Sequence, residues 1–153
     1  VWPSFTTRPA MPTTLPDIPR NRVTGEIVDA AIKVHTILGP GLLEAIYTEC
    51  LVRELTARGL EVQRELSIPV VYEGQLLGLS FRIDLLVARE VVVEVKAISS
   101  LLPVHEAQVR SYLRLSGCRI GMLLNFHALS MKDGIRRLEP LRAGVAPRDA
   151  ATA

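Results

Sequence analysis

Two carboxylates and one lysine stand at a spacing that favours a shared metal site. Asp84 lies in one apolar stretch, and Glu94 and Lys96 lie two positions apart in the next. Successive side chains of a β-strand point to opposite faces, so Glu94 and Lys96 are expected on the same face. Carboxylate oxygens, with no histidine or thiolate at ligand spacing, favour Mg²⁺ or Mn²⁺ over Zn²⁺.

The alternation of apolar and charged side chains at odd and even positions of the two strands predicts the register of a hairpin. Odd positions are apolar in residues 79–87 and 91–97, and the even positions carry the charged side chains Arg82, Asp84, Glu94 and Lys96. Both apolar faces agree when the three-residue connection pairs position 87 with position 91. This register places Asp84 opposite Glu94 and Arg82 opposite Lys96. Two facing carboxylates repel each other, and a bound cation removes that repulsion.

An alternative interpretation is an exposed face with salt bridges, which half-buried sheets often show. Three features favour a covered site: Leu86 and Val92 share the polar face, Gln108 lies on the inner side of a helix, and Glu44 heads an apolar helix stripe. The predicted inner side consists of Val104, Ala107, Gln108, Ser111 and Leu115. Each feature also has a plain interpretation, because Glu44 can complement a helix dipole and Gln108 can cap a backbone group.

The elements that position these residues follow from the changing hydrophobic period. The predicted helices are residues 23–38, 42–58 and 103–117, and the predicted strands are residues 61–72, 75–87, 91–97 and 119–125. Gly39-Pro40-Gly41 ends the first helix, and Pro103 opens the third. The order α-α-β-β-β-α-β predicts an α/β domain in which helices flank a mixed sheet.

The length and composition predict one domain with two tails. The 153 residues suffice for a single core, expected over residues 21–140. Residues 1–20 are rich in proline and residues 141–153 are small and polar, so both segments are expected to be disordered. The formal net charge is only +2, which does not require a nucleic-acid partner. Four arginines of the C-terminal part form either a modest basic surface or solvated faces: Arg110, Arg114, Arg136 and Arg137.

The cysteines and the lengths of the apolar runs indicate the cellular compartment in which the protein is expected. Cys50 and Cys118 lack the spacing of a zinc or redox site, so they are expected to be free thiols in a reducing environment. No apolar run is long enough to span a bilayer, and no signal peptide is visible. We therefore expect a cytoplasmic protein that does not bind membranes.

Several motifs resemble those of known nucleases. Asp84 followed by Glu94-Val95-Lys96 resembles the core of the PD-(D/E)xK nuclease superfamily, and residues 108–112 are similar to the Q-x-x-x-Y motif of its exonuclease-like branch. More closely, five motifs over about residues 21–138 resemble the small GxxExxxR protein family. These are Leu38-Gly-Pro-Gly-Leu-Leu-Glu44, Arg82-Ile-Asp84-Leu-Leu-Val, Glu94-Val-Lys96-Ala, Leu102-Pro-Val-His105-Glu-Ala-Gln108 and Asn125-Phe. Thr48 stands where that family has arginine, and Ile83 stands in place of the proline of Pro-Asp.

The resemblance implies a restriction-endonuclease-like core and a Mg²⁺-dependent (or Mn²⁺-dependent) nuclease acting on DNA or RNA. It implies that Asp84, Glu94 and the Val95 carbonyl bind the metal, and that Glu44 reaches it through water or a second ion. Lys96 would orient the attacking water and stabilise negative charge on the phosphate.

The same resemblance assigns Gln108 and Tyr112 to positioning the metal ligands or a backbone phosphate. An alternative for Tyr112 is ordinary core packing with a tethered hydroxyl. His105, in the first turn of its helix, is expected to form a hydrogen bond rather than bind the metal. The oligomeric state, the choice of DNA or RNA, and exonuclease or endonuclease action stay open.

Two other functions remain compatible with the residues. One is a binding module or partner subunit that keeps the fold without catalysis, because a fold does not guarantee a function. Weak basicity favours it, whereas the presence of Asp84, Glu94, Lys96 and Gln108 together favours a nuclease. The other is a phosphodiesterase for small substrates.

Overall fold

The computed structural model describes residues 20–141, and for residues 20 and 21 only the backbone. The helices are α1 (Arg20–Leu38), α2 (Glu44–Ala57) and α3 (Pro103–Ser116). The strands are β1 (Val62–Tyr72), β2 (Gln75–Val87), β3 (Val91–Lys96), β4 (Ile120–Asn125) and β5 (Ile135–Leu138), and a 3-10 turn at Met131–Gly134 precedes β5. The predicted order is confirmed through β4. The two predicted tails, apart from Arg20 and Leu141, lie outside the described residues.

The five strands form one mixed sheet in the order β1-β2-β3-β4-β5. β3 and β4 run parallel because the chain crosses over through α3, and the other neighbouring pairs are antiparallel. Helices α1 and α2 pack on one face around Tyr47 and Leu51, and α3 packs on the other around Val109 and Leu113. The structure is therefore the α/β architecture that the sequence predicts, with the sheet between two helical layers.

The helical hydrophobic period from which residues 23–38 and 42–58 are predicted as helices agrees with the burial of their side chains. The buried stripe of α1 contains Val23, Ile27, Ala31 and Val34, and that of α2 contains Tyr47, Leu51 and Leu55. Gly39 follows α1 with a φ of 68°, a conformation that glycine adopts without a steric penalty. Among residues 20–141, no helix combines the length and the apolar composition that crossing a membrane requires.

The inner side of α3 differs from the prediction. Val109 and Leu113 are fully buried, whereas Val104 is 64% exposed and Leu115 is 44% exposed. The cause is a close approach to β4, since a Cβ on Gly121 would lie 2.6 Å from Val109 Cγ1. The helix therefore seats its 109–113 side on the sheet, and Gln108 flanks the buried side instead of lying at its centre.

The predicted apolar face of β2 is also corrected. Leu85 and Val87 pack toward α1 and α2, but Ile83 packs with the residues of α3, and Leu79 is 67% exposed. On the N-terminal side of Leu85, β2 pairs with β1 alone. The odd positions of β2 therefore do not all share one face, and the change falls between the pairs Arg64–Leu85 and Leu66–Ile83, where Glu65 of β1 has a φ of 49°.

β5 is an element that the sequence does not predict. It has only four residues, Ile135–Leu138, and of these only Leu138 is buried. It pairs with β4 as the edge strand, and its two central arginines are exposed. A strand this short and this polar has no hydrophobic period that distinguishes it from a loop.

Candidate metal centre

The β2–β3 hairpin has the predicted register, but its ladder is short. The observed pairs are Val87–Val91, Leu86–Val92 and Leu85–Val93. In a continued register, Asp84 would face Glu94 and Ile83 would face Val95. Instead, Asp84 Oδ2 accepts a hydrogen bond from the Val95 backbone N–H at 2.9 Å. A carboxylate thus occupies the place where the next residues of β2 would have paired with β3.

Arg82 does not take its predicted place opposite Lys96. In the ladder with β1 it faces Ser67, and its guanidinium lies 3.6 Å from Glu65 Oε1. Both members of this ion pair are exposed to solvent, where such pairs contribute little to stability. The prediction is wrong because it extended the β2–β3 ladder beyond its last pair, Leu85–Val93.

Glu94 is the most deeply buried charged residue of the site, with 5% of its surface exposed. Its Oε1 lies 3.4 Å from Lys96 Nζ, and the lysine side chain is itself largely buried. Within residues 20–141, Glu94 Oε2 has no hydrogen-bond partner. A buried carboxylate oxygen without a partner is costly, so it marks a position suited to a ligand.

The surroundings of the two carboxyl groups raise the pKa of each. For Glu94, burial and then the negative charge of Asp84 raise the pKa to about 7, against the opposing effects of Lys96 and of the Asp84 backbone N–H. For Asp84, burial raises the pKa, while the Val95 N–H and the Lys96 charge lower it. Both carboxylates therefore lack sufficient positive charge around them, which is the electrostatic condition that favours a bound cation.

Tyr112 of α3 lies near this carboxylate pair, and Gln108 lies beside Tyr112 on the same helix. The Tyr112 ring stacks on Phe81 with the ring centroids 4.6 Å apart. Burial raises the pKa of the Tyr112 hydroxyl, the charges of Glu94 and Asp84 raise it further, and a hydrogen bond with Gln108 lowers it. The Tyr112 side chain therefore takes part in core packing through its ring and lies close enough to the carboxylates to interact with their charges.

The comparison with protein families agrees with this geometry. The model of the PD-(D/E)XK nuclease superfamily matches residues 21–138, more than three quarters of the 153 residues. The chain belongs to this superfamily. No curated protein and no solved structure matches it.

Nucleases of the PD-(D/E)XK superfamily generally use divalent metals, and the two carboxylates have the chemistry to bind one. Asp84 and Glu94 offer hard oxygen atoms, which suit Mg²⁺ and Mn²⁺. Yet no three His, Cys, Asp or Glu side chains of residues 20–141 are grouped as a metal site. Glu44, the first residue of α2, is exposed to solvent and does not join the pair. Its position in the first turn fits the alternative role of complementing the helix dipole.

Two further polar residues lie at the same end of the sheet. His105 Nδ1 accepts a hydrogen bond from the Leu102 N–H at 2.8 Å, which confirms the expected hydrogen-bonding role in the first turn of α3. Asn125, the last residue of β4, is 3% exposed and bonds to the backbone of Ile98. The sequence assigned no role to Asn125, although a polar residue that ends the apolar strand Ile120–Asn125 is a detectable signal.

Proposed function

We propose that this PD-(D/E)XK protein belongs to the GxxExxxR branch and is a Mg²⁺- or Mn²⁺-dependent nuclease that hydrolyses phosphodiester bonds in DNA or RNA. The observation that carries the proposal is the buried Glu94 carboxylate beside Asp84 and Lys96, whose Oε2 has no hydrogen-bond partner within residues 20–141. Burying this carboxylate lowers the stability of the fold, and packing does not compensate for the loss. A catalytic role therefore explains its burial better than a structural role.

Three groups at the end of the β2–β3 ladder would hold the cation: Asp84, Glu94 and the Val95 carbonyl. The Val95 N–H points toward β2, and in an extended strand the carbonyl of the same residue points the same way. That carbonyl therefore faces the gap where β2 separates from β3. Glu44 would act from farther away, through water or a second ion. When bound, the cation supplies Lewis acidity toward a phosphoryl oxygen and lowers the pKa of a water molecule.

The remaining groups would act on the substrate phosphate. Lys96 would orient the attacking water and donate hydrogen bonds to the phosphate oxygens, where negative charge develops. Its ion pair with Glu94 holds the ammonium in the site. Gln108 and Tyr112, on one side of α3, would fix the position of the carboxylates or of a backbone phosphate.

A second candidate function is a binding module that keeps the fold without cleavage. It is favoured by the small number of acidic groups at the site, because Glu44 lies apart from the Asp84–Glu94 pair. The formal net charge of +2 also provides little general attraction for a polyanion. The two functions differ in one measurable property, which is turnover.

The test is a cleavage assay with the purified wild-type protein on single-stranded and double-stranded DNA and RNA. The nuclease proposal expects products with Mn²⁺ or Mg²⁺ and none when EDTA is in excess. The matched control is Glu94→Gln prepared in parallel, because it keeps the size of the side chain and removes its charge. Equal cleavage by the wild type and this variant would assign the activity to a contaminant and remove the basis of the proposal.

A further inference from the structure

The Asn125 side chain is buried at the end of β4 that lies next to the site. In the parallel pairing of β3 with β4, Asn125 faces Lys96. Only 3% of Asn125 is exposed, so its amide group must find its hydrogen bonds within the protein. A buried amide that lacked partners would lower stability, and this amide has partners on both its oxygen and its nitrogen.

The partners of the amide are the two backbone groups of one residue, Ile98. Asn125 Oδ1 accepts from the Ile98 N–H at 3.1 Å, and Asn125 Nδ2 donates to the Ile98 carbonyl at 2.9 Å. The Oδ1 atom also accepts from the His127 N–H at 3.3 Å. Backbone donors and acceptors are chemically distinct, so these bonds define the orientation of the amide.

The segment held in this way connects two parts of the site. Ile98 lies two residues after Lys96, and the chain continues from it into α3, which carries Gln108 and Tyr112. The Lys96 carbonyl also accepts the Phe126 N–H at 2.9 Å. The exit of β4 thus fixes both the backbone of Lys96 and the first turn after it.

The backbone of Asn125 is also fixed by contacts with residues that follow it in the chain. Its carbonyl accepts the Ala128 N–H at 3.4 Å, and a Cβ on Gly134 would clash with the same carbonyl oxygen. Only glycine permits that approach of the 3-10 turn to the backbone. The backbone that carries the amide is therefore fixed. A change in the Asn125 side chain would alter the loop at Ile98 rather than move β4.

We propose that Asn125 is a positioning residue that sets the place of Lys96 and of the start of α3. The inference rests on the proposed nuclease function and names a residue that acts through others, since Asn125 is buried and its amide is already engaged. The informative change is Asn125→Asp, because a carboxyl group has nearly the same shape as the amide. The change keeps the acceptor, removes the donor to the Ile98 carbonyl, and so loosens one half of the paired contact.

The experiment compares Asn125→Asp with Val23→Ala, a cavity variant in α1 that lowers stability away from the site. We expect Asn125→Asp to lower kcat by about tenfold or more, the scale of a small misplacement of a reacting group, with KM and Mn²⁺ affinity within about twofold. Val23→Ala should keep the kcat of the wild type at a temperature where both variants are folded. Equal effects of the two variants, or an unchanged kcat in Asn125→Asp, would overturn the inference.

A second measurement keeps the inference testable if the wild type does not cleave. The sequence has three lysines, Lys33, Lys96 and Lys132, so the Lys96 side-chain ammonium can be assigned by NMR with Lys96→Ala as the reference. We expect the Lys96 resonance to shift in Asn125→Asp and to stay unchanged in Val23→Ala. Absence of cleavage by the wild type would then count against the nuclease proposal alone, whereas an unshifted Lys96 resonance would count against the positioning role of Asn125.

Discussion

The Asp84 carboxylate accepts the Val95 backbone N–H at 2.9 Å, in the place where the Ile83 carbonyl would lie if β2 stayed beside β3. The separation of the two strands therefore creates the site. It gives the Asp84 side chain a backbone partner, and the buried Glu94 Oε2 has no hydrogen bond in the described part of the chain. The chemistry of the centre depends on where a strand ladder ends.

The first prediction concerns the pH dependence of stability without metal. In the folded protein the pKa of Glu94 is raised from 4.5 to about 7. Between these pH values the folded state binds more protons than the unfolded state, so the free energy of unfolding should fall as the pH rises. The loss should reach roughly 3 kcal/mol, and the stabilisation should be fully present below about pH 4.5.

Urea unfolding in EDTA across this pH range checks the sign of the effect. Glu94→Gln should flatten the dependence, whereas Glu73→Gln, at an exposed turn between β1 and β2, should keep it. A Glu94→Gln profile that retains the full slope of the wild type would assign the effect to other groups.

The second prediction concerns Asp84→Asn. Mn²⁺ should stabilise the wild type by roughly 2.7 kcal/mol at a hundredfold excess over Kd. The variant should lose most of this response, because a carboxylate ligand is gone. Without metal it should be slightly more stable, because the repulsion with Glu94 is relieved and the amide oxygen can still accept the Val95 N–H. Equal Mn²⁺ binding by calorimetry in both proteins would mean that the ligands are misassigned.

The third prediction separates Glu44 from the direct ligands. Because Glu44 is exposed and lies outside the carboxylate pair, Glu44→Gln should weaken Mn²⁺ binding by roughly 10- to 100-fold without abolishing it, as for a group acting through water. Glu94→Ala should abolish binding. Calorimetry on both variants decides the matter, and a complete loss of binding in Glu44→Gln would make Glu44 a direct ligand.

The fourth prediction divides the two roles of Tyr112. Tyr112→Phe keeps the ring that stacks on Phe81 and removes the hydroxyl near the carboxylates. Thermal stability should change little, while kcat should fall by about tenfold through poorer positioning. Unchanged kcat together with a lower melting temperature would leave Tyr112 with a packing role only.

The parts of the fold that could be predicted depend on local patterns. The helical stripes of α1 and α2 and the pairing of Val87 with Val91 follow from hydrophobic period and parity. The same parity brought Asp84 and Glu94 to one site, although the ladder stops just before them. Local alternation indicates which residues can face each other, but it does not show where two strands separate.

The errors and omissions share a non-local cause. The buried side of α3 is set by the close approach of Val109 to Gly121, and the change of face at Ile83 falls next to Glu65 of β1, whose φ is 49°. The bonds between Asn125 and Ile98 join residues 27 positions apart. None of these contacts produces a hydrophobic period that could be detected in the sequence. They become visible only when the segments are placed together.

Lys96→Ala is the variant that distinguishes a metal-dependent nuclease site at Asp84, Glu94 and Lys96 from a site that only binds a cation. An ammonium cannot bind a cation, so Mn²⁺ affinity measured by calorimetry should stay nearly intact, while cleavage of DNA or RNA should fall by roughly 100-fold or more. Glu94→Ala should remove both binding and cleavage. A wild-type protein, purified free of other nucleases, that binds Mn²⁺ but cuts no single- or double-stranded substrate would contradict the account, as would cleavage that persists undiminished in Lys96→Ala.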